Sequence, residues 1–277
     1  MPYAVASDGT RIAYQDTGDG PPLLLLAGQA NNHHWWDAVR PDFDRHFRAV
    51  TMDYRGTGAS DKPDTGYSTT LFAEDVICVL DAVGIDRAHV YGTSMGGRVA
   101  QWVAARHPER VRSLVLGCTS PGGPHAVERS RDVRSSLAQA DPDRARRALL
   151  DLMYTPDWLA RNPGPYNTLG DPDMPVHAKV AHLRASNGHD AWDVLPSIGA
   201  PTLVLHGTDD ALSPVDNAAL LADRIPHAHR ELLPGARHAY FDEHRTRASA
   251  AVVDFLGTPP HHRSPQAVCH YCVGANL

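Results

Sequence analysis

Short β-branched or Leu-rich runs recur along the chain at residues 11–14, 23–26, 49–52, 89–92, 114–116, 202–205 and 230–233, and some, such as those at 23–26 and 202–205, show no polar alternation. A run that is apolar at every position fits a strand covered on both faces. Helical patterns separating such runs imply crossover connections, so the order predicts a mainly parallel sheet between helix layers. The helices are bounded by punctuation. Ser68-Thr69-Thr70 starts one that runs through Phe72, Val76, Val79, Leu80 and Val83 and stops at Gly84. A second begins at Ser94 and ends at His107-Pro108, Pro214 opens a third that reaches Ile225, and a last covers 246–255 before Gly257. From Pro121 to Pro196 the strand-like runs vanish and Arg, Asp and Pro-Gly turns become frequent. The segment reads as a helical insertion whose best helices are 144–154 and 176–187, sitting over the sheet as a lid.

A chain of 277 residues with 42% hydrophobic and 21% charged residues can bury a full core. The net charge of -6, with Lys and Arg scattered, argues against nucleic acid or an anionic membrane surface as partner. The longest strongly apolar run, 22–27, is far too short to span a bilayer, and the first residues have no basic start followed by an apolar stretch, so a cytoplasmic location is expected. Four cysteines are too few for a disulfide scaffold. Cys78 and Cys118 fall in apolar patterns as free thiols, and Cys269-x-x-Cys272 lacks the second ligand pair a zinc site needs, so it reads as part of a loose tail.

The chemistry concentrates at Gly92-Thr93-Ser94-Met95-Gly96, where a strand runs into a serine between glycines and a helix runs out. A serine hydroxyl is a poor nucleophile until a base takes its proton, so this reading requires a histidine and an acid to orient it. Both belong at the ends of later strands. The strand 202–205 leads into His206-Gly207-Thr208-Asp209-Asp210, and the strand 230–233 leads into Pro234-Gly235-Ala236-Arg237-His238. The chain order is Ser, Asp, His. A carbonyl under attack also needs fixed N–H donors for its developing charge, and Met95, at a helix start, is placed to supply one.

These segments, with Ala27-Gly28-Gln29 and Asp53-Tyr54-Arg55-Gly56-Thr57-Gly58-Ala59-Ser60 after earlier strands, resemble the α/β-hydrolase superfamily over roughly residues 5–256. The resemblance implies an α/β fold with a mostly parallel eight-stranded sheet flanked by helices, a core of 1–120 and 197–257, a helical cap of 121–196 and a tail of 258–277. It implies Ser94 as nucleophile and His238 as base. It makes Asp210 the acid, third after Gly207 with Pro214 following in the G-x-x-D-x-x-x-P pattern, and Asp209 the fallback. The Gln29 N–H would be the second oxyanion donor beside Met95. Two departures stand out: Ala27-Gly28 where relatives often have His-Gly, and Arg237 where they often have glycine. Arg237 either points to solvent or places a cation beside His238.

Trp35, Trp36, Tyr154 and Trp192 are candidates for the substrate pocket, whereas Met153 and Trp158 fit internal packing, and His33, His34 and His206 fit structural or solvent roles. The expected activity is cleavage of a small ester or lactone through an acyl-enzyme on Ser94. Carbon-carbon bond hydrolysis, thioester hydrolysis and haloperoxidase-like chemistry use the same serine and stay open, as does a low-turnover ligand-binding protein on this scaffold. No cofactor motif is present, so none is expected. The expected partner is a small-molecule substrate, with a homodimer left open.

Overall fold

The computed structural model describes residues 1–258; the tail from 259 onward, with Cys269 and Cys272, lies outside the described residues. Eight strands, β1 (Tyr3–Val5), β2 (Arg11–Thr17), β3 (Pro22–Leu26), β4 (Arg48–Met52), β5 (Ala88–Thr93), β6 (Val111–Gly117), β7 (Thr202–Gly207) and β8 (Ala228–Leu233), form one sheet in the order β1-β2-β4-β3-β5-β6-β7-β8. β1 and β2 run antiparallel, and every pairing from β4 to β8 is parallel. The fold is the α/β-hydrolase fold.

The all-apolar runs lie where a strand must be dry on both faces. β5 and β7 are buried at every position, while β8, at the edge, is buried only at Leu233. Helices α1 (Arg40–Asp44), α2 (Thr69–Ala82), α3 (Met95–Arg106), α4 (Arg131–Leu137), α5 (Pro142–Met153), α6 (Pro156–Arg161), α7 (Val176–Asn187), α8 (Asp216–Arg224), α9 (Tyr240–Glu243) and α10 (Arg245–Gly257) complete the described chain. α2 packs on α3, and α1 packs on α10. The second pairing is fastened by Arg245 and Ser249 on the Asp42 carboxylate at 2.7–2.9 Å. Ser68 caps α2 as expected, its hydroxyl accepting the Leu71 N–H. Pro214 precedes α8 by two residues, because Pro214 O first accepts the Asn217 N–H in a separate turn.

Between β6 and β7 the chain carries α4 to α7 and no strand of the sheet. It leaves at 121–123 and returns at 189–191, where Ala191 N–H donates to Pro121 O and Gly123 N–H to His189 O. Among the described residues no helix is long and apolar enough to cross a membrane.

Arg55 fastens the loop after β4. Its guanidinium makes a two-pronged pair with Asp75 of α2 at 2.7 and 2.8 Å, both side chains being almost wholly buried, and adds Asp8 at 2.7 Å. Asp75→Ala would leave the buried guanidinium only Asp8 and the Gly66 carbonyl, and we expect unfolding free energy to fall by about 3 kcal/mol in urea titration. Asp8→Ala, nearer solvent, should cost less than about 1 kcal/mol.

Candidate active site

Three non-glycine residues of the described chain have φ in the left-handed region: Ala30 at 57°, Ser94 at 56° and Cys118 at 41°. They follow β3, β5 and β6, the adjacent central strands, so the backbone strain gathers at one edge of the sheet. At Ser94 (ψ −122°) the chain turns from β5 straight into α3. The turn is tight enough that a Cβ on Gly96 would lie 2.1 Å from Leu26 O, and one on Gly92 would lie 2.2 Å from Gly96 O. Gly96→Ala must therefore push the elbow off β3. We expect a loss of about 1–3 kcal/mol in stability, together with activity, measured on the soluble variant.

Parallel strands deliver the other two expected groups to the same edge. Asp210 follows β7, and its carboxylate is fully buried. One oxygen accepts the Leu212 and Ser213 amides at 2.9 and 2.8 Å. The other faces His238 Nδ1 at 2.8 Å and His206 Nε2 at 3.3 Å. Burial by itself would raise the Asp210 pKa, but the two imidazoles outweigh it and hold the carboxyl well below the usual range. Asp209 is exposed and takes only the neighbouring Thr208 hydroxyl, so Asp210 is the acid that reaches the histidine. Beyond His238 the chain runs back across the strand ends: the Tyr240 hydroxyl bonds that of Tyr91 in β5 at 3.0 Å, and a Cβ on Gly117 of β6 would lie 2.1 Å from it. Tyr240, two residues past His238, thus reaches the strand that leads into Ser94, and Asp210 leaves the His238 Nε2 unclaimed.

Gln29 lies in the loop after β3 and Met95 begins α3. Among the described residues neither backbone N–H donates to a protein acceptor. The loop is pinned by Ala30 N–H to His182 Nδ1 (3.3 Å), Asp171 N–H to Ala30 O (2.7 Å) and Gly170 N–H to Asn31 Oδ1 (2.9 Å), three bonds from the helical segment.

The four expected pocket aromatics separate. Trp35 donates its indole N–H to Thr93 Oγ1 at 2.9 Å and lies over Gly28, where a Cβ would meet Cη2 at 2.6 Å. It borders a cavity of about 330 Å³ shared with Trp158, Tyr166 and Asp242. Trp36 is fully buried against Tyr91 and Phe241, part of the core and not a pocket wall, because the short helical turn that carries both tryptophans points the second one under the sheet edge. Tyr154 is buried as well. It stacks on Trp158 with centroids 4.2 Å apart, and its hydroxyl meets Thr168 at 2.7 Å and Asp242 at 2.8 Å. Trp192 packs between His125 and Arg224, away from Trp35's cavity.

Arg237 takes neither expected course. Its guanidinium binds the Asp151 and Tyr154 carbonyls at the end of α5, a helix C-terminus that favours a cation. His238 N–H and Ala239 N–H also donate into that end, to Leu152 O and Met153 O.

One site neighbour escaped the sequence reading, His182 behind the Gln29 loop, while His206, expected in a structural or solvent role, lies buried behind Asp210. His206 is adjacent to the Gly207–Asp210 segment, but no spacing rule turns a strand-terminal histidine inward, and His182 comes from a remote helix. His33, expected to be structural, bonds the buried Asp53 at 2.7 Å. Among the described residues no cluster of three or more His, Cys, Asp or Glu could hold a metal ion.

Comparison with known proteins agrees with this fold. Residues 21–245 match the family model described as alpha/beta hydrolase fold. A protein of Azorhizobium caulinodans, provisionally named carbamate hydrolase RutD, is 32% identical over 250 residues, covering 87% of this chain and 92% of its own. The 2-hydroxy-6-oxononadienedioate/2-hydroxy-6-oxononatrienedioate hydrolase of Burkholderia vietnamiensis is 32% identical over 91% of this chain and 93% of its own. The solved structure of Est816, described as an N-acyl homoserine lactone degrading enzyme, superposes with a TM-score of 0.76 at 29% identity, covering 92% of this chain and all of that one. The strand order, the strained serine between glycines and the extent of the match make one conclusion: this chain belongs to the α/β-hydrolase family.

Proposed function

We propose that the protein is a serine hydrolase that cleaves a small ester or lactone through an acyl-enzyme on Ser94. The observation that carries the reading is the buried Asp210–His238 bond of 2.8 Å at the sheet edge where β5 presents Ser94. With Asp210 accepting from Nδ1–H, His238 keeps a lone pair on Nε2. That nitrogen takes the Ser94 proton as Oγ attacks the carbonyl, then returns it to the leaving alcohol. The Gln29 and Met95 amides receive the charge on the carbonyl oxygen, and a water deacylates Ser94 by the same route. The helical segment between β6 and β7 acts as the lid over this edge of the sheet.

A second reading, hydrolysis of a carbon-carbon bond, is favoured by the similarity to the Burkholderia vietnamiensis hydrolase over nine-tenths of the chain. A panel of p-nitrophenyl esters, acyl lactones and vinylogous 1,5-diketones, assayed beside fluorophosphonate labelling, distinguishes the two. The ester reading expects labelling at Ser94 and the highest kcat/KM on an ester or lactone. Preferential turnover of the diketone would replace it, and an unlabelled Ser94 with no turnover in the panel would leave a binding protein.

A further inference from the structure

We infer that His182 is a positioning residue for the oxyanion loop: from α7 it holds the Ala30 backbone, and thereby aims the neighbouring Gln29 N–H, so that hydrolysis is competent only while α7 is docked on the core. The inference rests on the proposed hydrolase function and identifies what keeps its oxyanion donor in place.

Ala30 has a side chain yet sits at φ 57°, a conformation that costs roughly 1–2 kcal/mol and persists only where its surroundings impose it. Ala27 and Gly28, which lead into the loop, carry no polar side chain to impose it. Within the loop, Asn31 N–H reaches Gly28 O at 3.3 Å and Asn31 Nδ2 reaches Gln29 O at 2.8 Å. The remaining hold comes from residues 170, 171 and 182.

The chemistry of the ring makes His182 specific for this task. Its Nε2 lies 2.8 Å from Arg55 O, which can only accept, so Nε2 carries the proton and Nδ1 presents its lone pair to the Ala30 N–H. The ring is fully buried, with Phe72, Tyr67 and Tyr54 centroids at 5.0, 5.7 and 6.2 Å, and a turned ring would leave both its carbonyl and its N–H partner mismatched. Burial also lowers its pKa to about 4, which keeps the ring neutral at ordinary pH. The same helix is tied to the other donor's element, because Arg98 of α3 bonds Ser186 O and Oγ near the end of α7. One helix of the lid therefore spans the carriers of both oxyanion amides.

The test compares His182→Phe, which keeps ring packing and loses both hydrogen bonds, with His182→Gln, whose amide offers one donor and one acceptor. Active sites are counted by fluorophosphonate titration, kcat per titrated site is measured on p-nitrophenyl acetate, and exchange of the Ala30 and Asn31 amides, which are hydrogen-bonded, is followed by mass spectrometry. We expect His182→Phe to lose roughly 10- to 100-fold in kcat per site with KM within about threefold, and to exchange those amides faster. His182→Gln should recover kcat to within about threefold and restore protection.

Unchanged kcat per site in His182→Phe would overturn the inference. So would a loss shared equally by the glutamine variant, or one confined to the number of titratable sites, which is what a purely structural role predicts. If His182→Phe does not fold, His182→Leu, which likewise removes both ring nitrogens, carries the same expectations. Should the wild-type protein turn over no ester, the proposed function fails, while the exchange comparison still decides whether His182 holds the loop.

Discussion

Ser94→Ala is expected to reduce kcat/KM on any ester the protein hydrolyses by roughly 10⁴- to 10⁶-fold, about 5–8 kcal/mol of barrier. The size follows from the role proposed for Oγ: no other group supplies the attacking atom, and what survives is the contribution of the oxyanion amides and binding. The variant should fold normally. Alanine meets the same positive φ as serine, and the hydrogen bonds that hold residue 94 use its backbone, Ser94 N–H to Gly117 O at 2.8 Å and Thr119 Oγ1 to Ser94 O at 2.7 Å. Stability within about 0.5 kcal/mol of wild type is expected by urea titration. Full activity in this variant would remove Ser94 from the mechanism.

Asp210→Asn is expected to lower kcat by roughly 10⁴-fold, with stability reduced by about 1–3 kcal/mol. The carboxylate accepts from the Leu212 and Ser213 amides on one oxygen and from His238 Nδ1 on the other, with the Nε2–H of His206, which donates to Ser213 O at 2.8 Å, lying 3.3 Å away. An amide of the same shape has only one oxygen. If its NH₂ faces the backbone amides, two pairs of donors collide. If it faces the imidazoles, it drives the proton of His238 onto Nε2, where the ring can no longer act as base, and it opposes the His206 N–H. Activity assays over pH 5–9 should show the loss throughout, because this tautomer is imposed by a neutral group.

Stability should respond differently to acid. The Asp210 pKa is depressed in the folded state, so the carboxylate's stabilisation is complete above the ordinary carboxylate value near 4 and is lost as pH falls toward the folded value. The stability gap between wild type and Asp210→Asn should hold constant from pH 7 to about 5 and narrow below about 4. A gap that closes above pH 6 would contradict a depressed Asp210.

Much of this was legible because the signals are local. The strands at the centre of the sheet announce themselves as unbroken apolar runs, since a strand covered on both faces has no position for a polar side chain. Ser68 and Gly84 mark the ends of α2 through hydrogen bonding and backbone conformation that depend on a few neighbours. β1 went unread for the converse reason: three residues at the sheet edge, two of them exposed, leave no pattern to read. α1, α4, α6 and α9 are likewise short, and their helicity is settled by what they pack against.

The chain's own pattern determined the layered architecture, the elbow and the residues eligible as nucleophile, acid and base, because each rests on periodicity or on glycine within a few positions. The G-x-x-D-x-x-x-P spacing already favoured Asp210 over Asp209; tertiary structure alone decided that Trp35 borders a cavity while Trp36 enters the core, and that Arg237 ends a helix. It alone brought His182 to Ala30 across 152 residues of sequence. Those outcomes depend on where a side chain points once strands and helices are assembled, and direction at long range is written in no segment of the sequence.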